Sequence, residues 1–395
     1  MRYLVPAEED VLMPLSLLSG VETGLFEVTQ TQLEKSIIDA NASIRQSFSY
    51  TGFHEFSGQR QGRDALVRRD VSFFSSTGLV PTTISLYRPN TKNGDPRVWI
   101  SRLGLISPET KSGDIVAIAQ NGQLCVAVNV TALVRSNRSL SSLVKFFPED
   151  PDEPATLIAE ELLAKLRLLA SRGPILTTKR GDTAVGFAIE SALGIEANSR
   201  TAPDYEGIEI KSGRSLEGNK NKTLFAKVPD WGRSPVGGYS ELVERYGYVQ
   251  EGKDTKRLYC SVDGRKPNSQ GLILKVNYEL GSLEEYYSAV PEKLALTWDL
   301  EVLRSTLEAK HKETFWIEAE EVKTRGGTGF VLTQVLHTSR PRLSAFSLLL
   351  SNGSVWVDHA ARLKPTGGNR NHGMLFRTKA KHLTELFSVE GRYSF

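Results

Sequence analysis

The 395-residue sequence predicts two domains, the first mostly β and the second mixed α/β. Three observations predict it. The segment FFPEDPDEPATL crowds prolines and acids together as linkers do. Ahead of it stand short β-branched runs separated by Asn-Gly turns. Behind it, ATLIAEELLAKLRLLASRGP spaces its apolar residues as a helix does and stops at Gly-Pro. The boundaries expected are 1–147 for the β-rich domain, 148–157 for the linker and 158–395 for the α/β domain. A chain of this length can bury a separate core in each.

The first 20 residues are broken by Pro6 and the acids Glu8, Glu9 and Asp10, so they lack the apolar centre of a secretory leader. No apolar run approaches the roughly 18 residues that a membrane helix needs. The two cysteines, Cys125 and Cys260, lie far apart and form neither a disulfide framework nor a zinc motif. A cytoplasmic protein with no membrane association is expected. In the first domain TTISLYRP, RVWIS, DIVAIA and QLCVAVNV read as strands, with NTKNGDP and AQNGQ as hairpin turns. In the second, Asp182 or Thr183 can cap a helix that carries Val185, Ile189 and Leu193 on one face, Glu190 beside them, and Gly194 as its stop. KTLFAK is expected to pair with GIEIKS as a hairpin, bringing Lys227 toward it. LYCSVDG, GLILKVNY, FWIEAEEVKT, GFVLTQVLHTS and FSLLLSNGSVWVD read as strands, and WDLEVLRSTLEAKH as a helix.

The chemistry concentrates in TAPDYEGIEIKSGR, residues 201–214. On a strand, Ile208 and Ile210 face one side while Glu209 and Lys211 face the other. Asp204 follows Pro203, where a loop can fold its carboxylate back beside Glu209. Two carboxylates so close repel unless a cation lies between them, and a hard divalent ion such as Mg2+ prefers oxygen ligands. Asp204, Glu209 and the Ile210 carbonyl are the expected metal ligands. Lys211 is placed to orient or deprotonate an attacking water, and Glu190 to complete the shell. By itself an acid-x-lysine on a strand also describes an ordinary solvated face.

The run GDTAVGFAIESALGIEANSRTAPDYEGIEIKSGR, followed by KTLFAK and later by NRNHGMLFR, resembles the MvaI/BcnI restriction endonucleases and the related mismatch-repair nicking enzyme MutH. The resemblance covers most of residues 160–390 and implies a PD-(D/E)xK nuclease core in which Asp204, Glu209, Lys211 and Glu190 are catalytic. It further implies a Mg2+-dependent type II restriction endonuclease acting on double-stranded DNA, a monomer, paired in function with a cognate DNA methyltransferase. A strand-nicking repair endonuclease and a catalytically silent DNA-binding protein are the rival readings.

The formal charge of +3, from 49 basic and 46 acidic residues, does not by itself indicate a nucleic-acid partner, so distribution matters more. In NRNHGMLFR, His372, Arg370, Asn371 and Arg377 can meet bases or phosphates, and Arg340 and Arg342 are expected at phosphates. The sequence RVWISRLGLISPETKSGDIVAIAQNGQLCVAVNV weakly resembles the B3-like pseudobarrel that forms the effector domain of EcoRII-type enzymes. That resemblance implies a second DNA copy bound by the first domain. Arg60, Arg63, Arg68 and Arg69, with Arg88, Lys92, Arg97 and Arg102, suit such contacts. Asp358 and His359 lack a nucleophile motif and are set aside.

Overall fold

The computed structural model describes residues 1–75, 78–101, 103, 109–147, 156–181, 183–195, 203–252 and 254–395. Its backbone gathers into two compact units: 1–150, 227–303 and 343–374 in the first; 151–226, 304–342 and 375–395 in the second. Among the described residues, no helix is long and apolar enough to cross a membrane.

The first unit is built on a seven-stranded sheet. Numbered along the chain, its strands are β1 (Glu22–Glu27), β2 (Ile37–Asp39), β3 (Val67–Ser75), β4 (Gly78–Tyr87), β5 (Arg97–Ile100), β6 (Ile115–Gln120) and β7 (Cys125–Asn129). They lie in the order β1-β6-β7-β3-β4-β5-β2. Both hairpins expected from Asn-Gly are present, with Tyr87 opposite Arg97 and Gln120 opposite Cys125. β6 and β7 are buried along their whole length, which explains why they read as continuous apolar runs. Phe26, Ile38, Phe48, Phe73, Leu86 and Ile118 meet in the core beneath the sheet. Helices at Pro6–Ser16, Gln30–Lys35 and Ala42–Tyr50 add to this mostly β region and were not anticipated.

The expected continuous 158–395 domain does not match the packing, because residues 227–303 and 343–374 gather with 1–150. Long-range contacts within the first unit explain it. Ser344 Oγ donates to Glu22 at 3.0 Å and accepts from the Thr23 amide at 3.1 Å, while Ser351 Oγ donates to Glu9. A division drawn from local composition cannot anticipate such partners. Most of the expected linker, 148–155, lies outside the described residues, as do Arg102 and Asp182.

The segment FSLLLSNGSVWVD is a second correction. It holds a helix, Leu343–Ser351, and then the start of a strand, not one strand. Every residue from Leu343 to Leu350 is buried, so the helix has no polar face to mark a 3.6-residue period.

In the second unit, β9 (Glu209–Gly213), β16 (Glu313–Thr324), β17 (Gly327–Pro341) and β20 (Phe387–Ser394) form a sheet ordered β20-β17-β16-β9, with β8 (Ile175–Leu176) pairing β17. β9 and β16 run parallel, Glu209 opposite Thr314. The expected hairpin between β9 and KTLFAK is absent. That segment belongs to β10 (Asn221–Ala226), which pairs antiparallel with the end of β19 (Asn369–Lys379) and stacks Phe225 on Phe376 at 4.8 Å. The hairpin expected to bring Lys227 toward GIEIKS is therefore not formed, and the Lys227 carbonyl accepts from Trp298 Nε1 at 3.1 Å. The first unit is completed by a meander of β13 (Leu272–Asn277), β14 (Ser282–Tyr287) and β15 (Lys293–Asp299), and by β11 (Tyr248–Val249), β12 (Lys256–Val262), β18 (Val355–Leu363) and the opening of β19.

Gly24 marks where the Ala42–Tyr50 helix lies on β1. A methyl group there would stand 2.9 Å from Ile44 Cα and 2.8 Å from Ser47 Oγ. Gly24→Ala is expected to destabilise the protein by about 1–3 kcal/mol, because helix and strand must separate to admit it. Urea unfolding followed by tryptophan fluorescence measures this, and an unshifted midpoint would show that the contact yields freely.

Candidate active site

The strand alternation expected from GIEIKS holds. Ile208 and Ile210, 1% and 3% exposed, enter an apolar core with Val185, Ile189, Phe315 and Ile317. Glu209 and Lys211 take the other face. Glu209 is wholly buried, and its Oε1 meets two ammonium groups: Lys211 Nζ in direct contact and Lys310 Nζ at 3.0 Å. Its Oε2 is buried with no hydrogen-bond partner.

Asp204 reaches this group through a tight turn. Tyr205 and Ile208 exchange backbone hydrogen bonds of 2.9 and 2.7 Å, and Glu206 and Gly207 take positive φ values of 44° and 98° between them. The reversal lets Asp204 Oδ2 accept from the Ile210 amide at 3.1 Å. Burial, then repulsion from Glu209, lifts the Asp204 pKa above the usual carboxylate range, against the Ile210 amide, Lys211 and Lys310. Glu190 projects from the Ala184–Ala192 helix, whose buried Val185 and Ile189 fix it to the core. Burial and then the charge of Asp204 raise its pKa also, with Lys211 and Lys179 opposing. The carboxylates Glu190, Asp204 and Glu209 thus share one electrostatic neighbourhood with Lys211.

This donor set fits a hard divalent cation. Two acids hold raised proton affinities, first because they are buried and then because negative charge lies nearby, and the buried second oxygen of Glu209 is an acceptor without a hydrogen-bond partner. Among the described residues, no three His, Cys, Asp or Glu side chains gather closely enough to ligate one ion by themselves. Two carboxylates and a carbonyl suit Mg2+, which keeps much of its coordination for water and substrate phosphate.

Lys310 went unnoticed in the sequence, where WDLEVLRSTLEAKH reads simply as a helix. It ends the Leu300–Lys310 helix, and the next residue anchors that end. His311 is fully buried, with Nε2 2.8 Å from the Leu224 carbonyl, Nδ1 3.0 Å from Thr314 Oγ1 and its ring stacked on Trp316. Burial pulls its pKa down to about 3, so a neutral imidazole follows Lys310.

The expected DNA-contact residues divide. Arg377 lines a cleft of about 620 Å³ together with Lys211. Arg370, Asn371 and His372 are exposed at the opening of β19 and belong to the first unit. Arg340 pairs with Glu390 at 3.2 Å. Arg342 Nη1 donates to the carbonyls of Thr384 and Phe387 at 2.8 and 2.6 Å, which ties down the chain before β20. Arg60 and Arg63 are exposed, as are Arg68 and Arg69, whereas Arg97 lies 3.6 Å from Asp39. His359 bonds to the buried Glu285 at 2.8 Å, and Asp358 accepts from Trp356 Nε1 at 2.8 Å, so these two neighbours serve different partners.

The profile of the MvaI/BcnI restriction endonuclease family matches residues 163–387. Among solved structures, the restriction endonuclease MvaI–cognate DNA substrate complex is 23% identical, with a TM-score of 0.52 over 60% of this chain and 100% of that one. MvaI in the absence of DNA is 22% identical over 60% of this chain and 98% of that one, with a TM-score of 0.39. No curated protein sequence matches the chain. The MvaI–DNA complex shares the fold, so the turn, strand and helix that gather the acids stand within a restriction-endonuclease fold.

With its folded-state pKa raised, Asp204 binds its proton more tightly folded than unfolded. Its contribution to stability is full below the ordinary carboxylate range and is lost as pH rises through the raised value. Asp204→Asn is therefore expected to raise the Tm of the metal-free protein at neutral pH and to change it little in acid. A lower Tm at neutral pH would mean that the Ile210 hydrogen bond outweighs the repulsion.

Proposed function

Because the chain belongs to the MvaI/BcnI restriction endonuclease family, we propose that it is a sequence-specific type II enzyme that hydrolyses double-stranded DNA with Mg2+. The observation that carries this reading is the buried Glu209 carboxylate, held by Lys211 and Lys310 through one oxygen while the other has no hydrogen-bond partner, in the electrostatic neighbourhood of Asp204. Asp204, Glu209 and the Ile210 carbonyl would hold Mg2+, which when bound supplies Lewis acidity toward the scissile phosphate.

The remaining work falls to the chain's own groups. Glu209 draws the Lys211 ammonium to the carboxylate face of β9, where it orients the attacking water and offsets charge gathering on phosphate oxygens. Lys310 shares the neutralisation of Glu209, so Lys211 can turn toward substrate without leaving a bare buried charge behind. Glu190, carried by the Ala184–Ala192 helix, would complete the metal shell or hold a coordinated water. Ile208 and Ile210, locked in the core, hold Glu209 and Lys211 in place while DNA binds.

The 1–147 region is read as a B3-like effector domain that binds a second DNA copy, supported by the exposed arginines at 60, 63, 68 and 69 on a largely β framework. A single chain is read as sufficient for cleavage, with protection of the host sequence by a cognate methyltransferase.

Incubation with plasmid, with and without Mg2+, separates this reading from its rivals: discrete double-strand cuts support it, nicks alone indicate a repair-type enzyme, and a shifted but intact plasmid indicates a silent binder. Lys211→Ala is expected to lower the cleavage rate by about 10²–10³-fold or more while retaining DNA binding. Cleavage at the parental rate would remove Lys211 from its role. For the effector reading, a short duplex carrying the cleaved sequence, added in trans at a fixed plasmid concentration, should first accelerate cutting. Simple competition from the lowest duplex concentration upward would count against a second DNA site.

A further inference from the structure

Lys222 is a buried lysine to which neither the sequence motifs nor the catalytic group assigns a task. It sits on β10, only 8% exposed, and lines the same cleft as Lys211 and Arg377. Among the described residues, no carboxylate forms an ion pair with it. The nearest acid acting on it, Glu318, is engaged elsewhere: its Oε2 accepts from the Leu216 amide at 2.5 Å and from Gln334 at 3.1 Å, and its Oε1 accepts from Thr333 at 3.1 Å. Burial lowers the Lys222 pKa to about 8, against the attraction of Glu318. An ammonium removed from water without a counter-charge is costly unless an anion arrives to meet it.

The cleft supplies the setting for such an anion. Among the described residues, five cations line it, Lys211, Arg214, Lys220, Lys222 and Arg377, and no carboxylate does. Its remaining donors include the hydroxyls of Ser212, Ser215 and Thr223. Gly213 admits the buried ammonium to the floor: a methyl at that position would stand 3.2 Å from Lys222 Nζ. A side chain there would press on the group that faces the cleft. Lys211 joins the two sites, lying against Glu209 and lining the cleft.

We infer that Lys222 is a phosphate-positioning residue, which takes a backbone phosphate of the bound DNA strand near the phosphodiester held at Lys211. The inference rests on the nuclease reading for the identity of the strand, and on the cleft alone for its need of an anion. Lys222 positions the strand through a neighbouring phosphate and does not touch the reacting atoms.

The test uses the full-length protein, a fluorescein-labelled duplex containing the cleaved sequence, and Ca2+ in place of Mg2+. The slope of log affinity against log salt is expected to fall in magnitude by about 1 in Lys222→Met, the signature of one lost phosphate contact. Lys222→Arg should restore it, since a guanidinium also binds phosphate. With Mg2+, Lys222→Met should raise KM about tenfold, the larger share of the loss lying in KM and not in kcat. Gly213→Ala, which leaves the ammonium in the chain but crowds it, should reproduce part of the change in slope. If Lys222→Met fails to fold by circular dichroism, Lys222→Gln and Gly213→Ala carry the same measurement. Inorganic phosphate at millimolar concentration should compete with the wild-type duplex more strongly than with the Lys222→Met duplex if the site takes any phosphate. Equal competition points to a phosphate recognised only within DNA. An unchanged salt slope in the folded variants overturns the inference. A wild-type protein that binds duplex but cuts nothing overturns the nuclease reading alone, and one that binds no duplex overturns both.

Discussion

The buried charge of Glu209 constrains everything around it. A carboxylate with no solvent exposure must be neutralised in place, and the chain does so with two lysines, one a near neighbour in sequence and the other distant. One, Lys211, is two residues along the same strand. The other, Lys310, arrives at the end of a helix immediately before β16, the strand that pairs with β9. The parallel pairing of β9 with β16 therefore has an electrostatic consequence as well as a structural one. It sets a helix terminus beside an acid that would otherwise stay uncompensated. His311 secures that terminus by bonding to β10 and to Thr314 of β16, so three elements converge on the placement of one ammonium.

Neutralising Glu209 does not relieve its neighbours. Asp204 and Glu190 both hold protons more tightly than free carboxylates do, first because they are buried and then because negative charge lies close. The repulsion is local to this group of acids. The sheet and the Ala184–Ala192 helix bear it through apolar contacts on their opposite faces, where Val185, Ile189, Ile208 and Ile210 share one core.

Much of this site was legible because it rests on local rules. A period of two placed Glu209 and Lys211 together and the isoleucines opposite, and the helix bearing Glu190 showed its apolar face at the expected spacing. The approach of Asp204 was half legible: Pro203 and Gly207 signal a turn, but the positive φ of Glu206 that completes it does not follow from a glutamate. Lys310 was illegible, since its meeting with Glu209 depends on a parallel strand pair joined through a long excursion of chain. The same limit accounts for β10, whose partner β19 lies near the C-terminus, and for the Leu343–Ser351 helix, whose burial on all sides erases its period. Local pattern specified elements and faces; it did not specify which distant element would arrive.

The division into units carries that limit into the meaning of the family match. Residues 163–387 are matched as one family region, yet 227–303 and 343–374 within it gather with 1–150 and not with the sheet that holds β9. The Leu343–Ser351 helix lies inside the matched region and is bonded through Ser344 and Ser351 to residues 9, 22 and 23. Within the first unit, the residues before the acidic segment thus supply polar partners to a helix of the family region, so composition alone does not separate them from it.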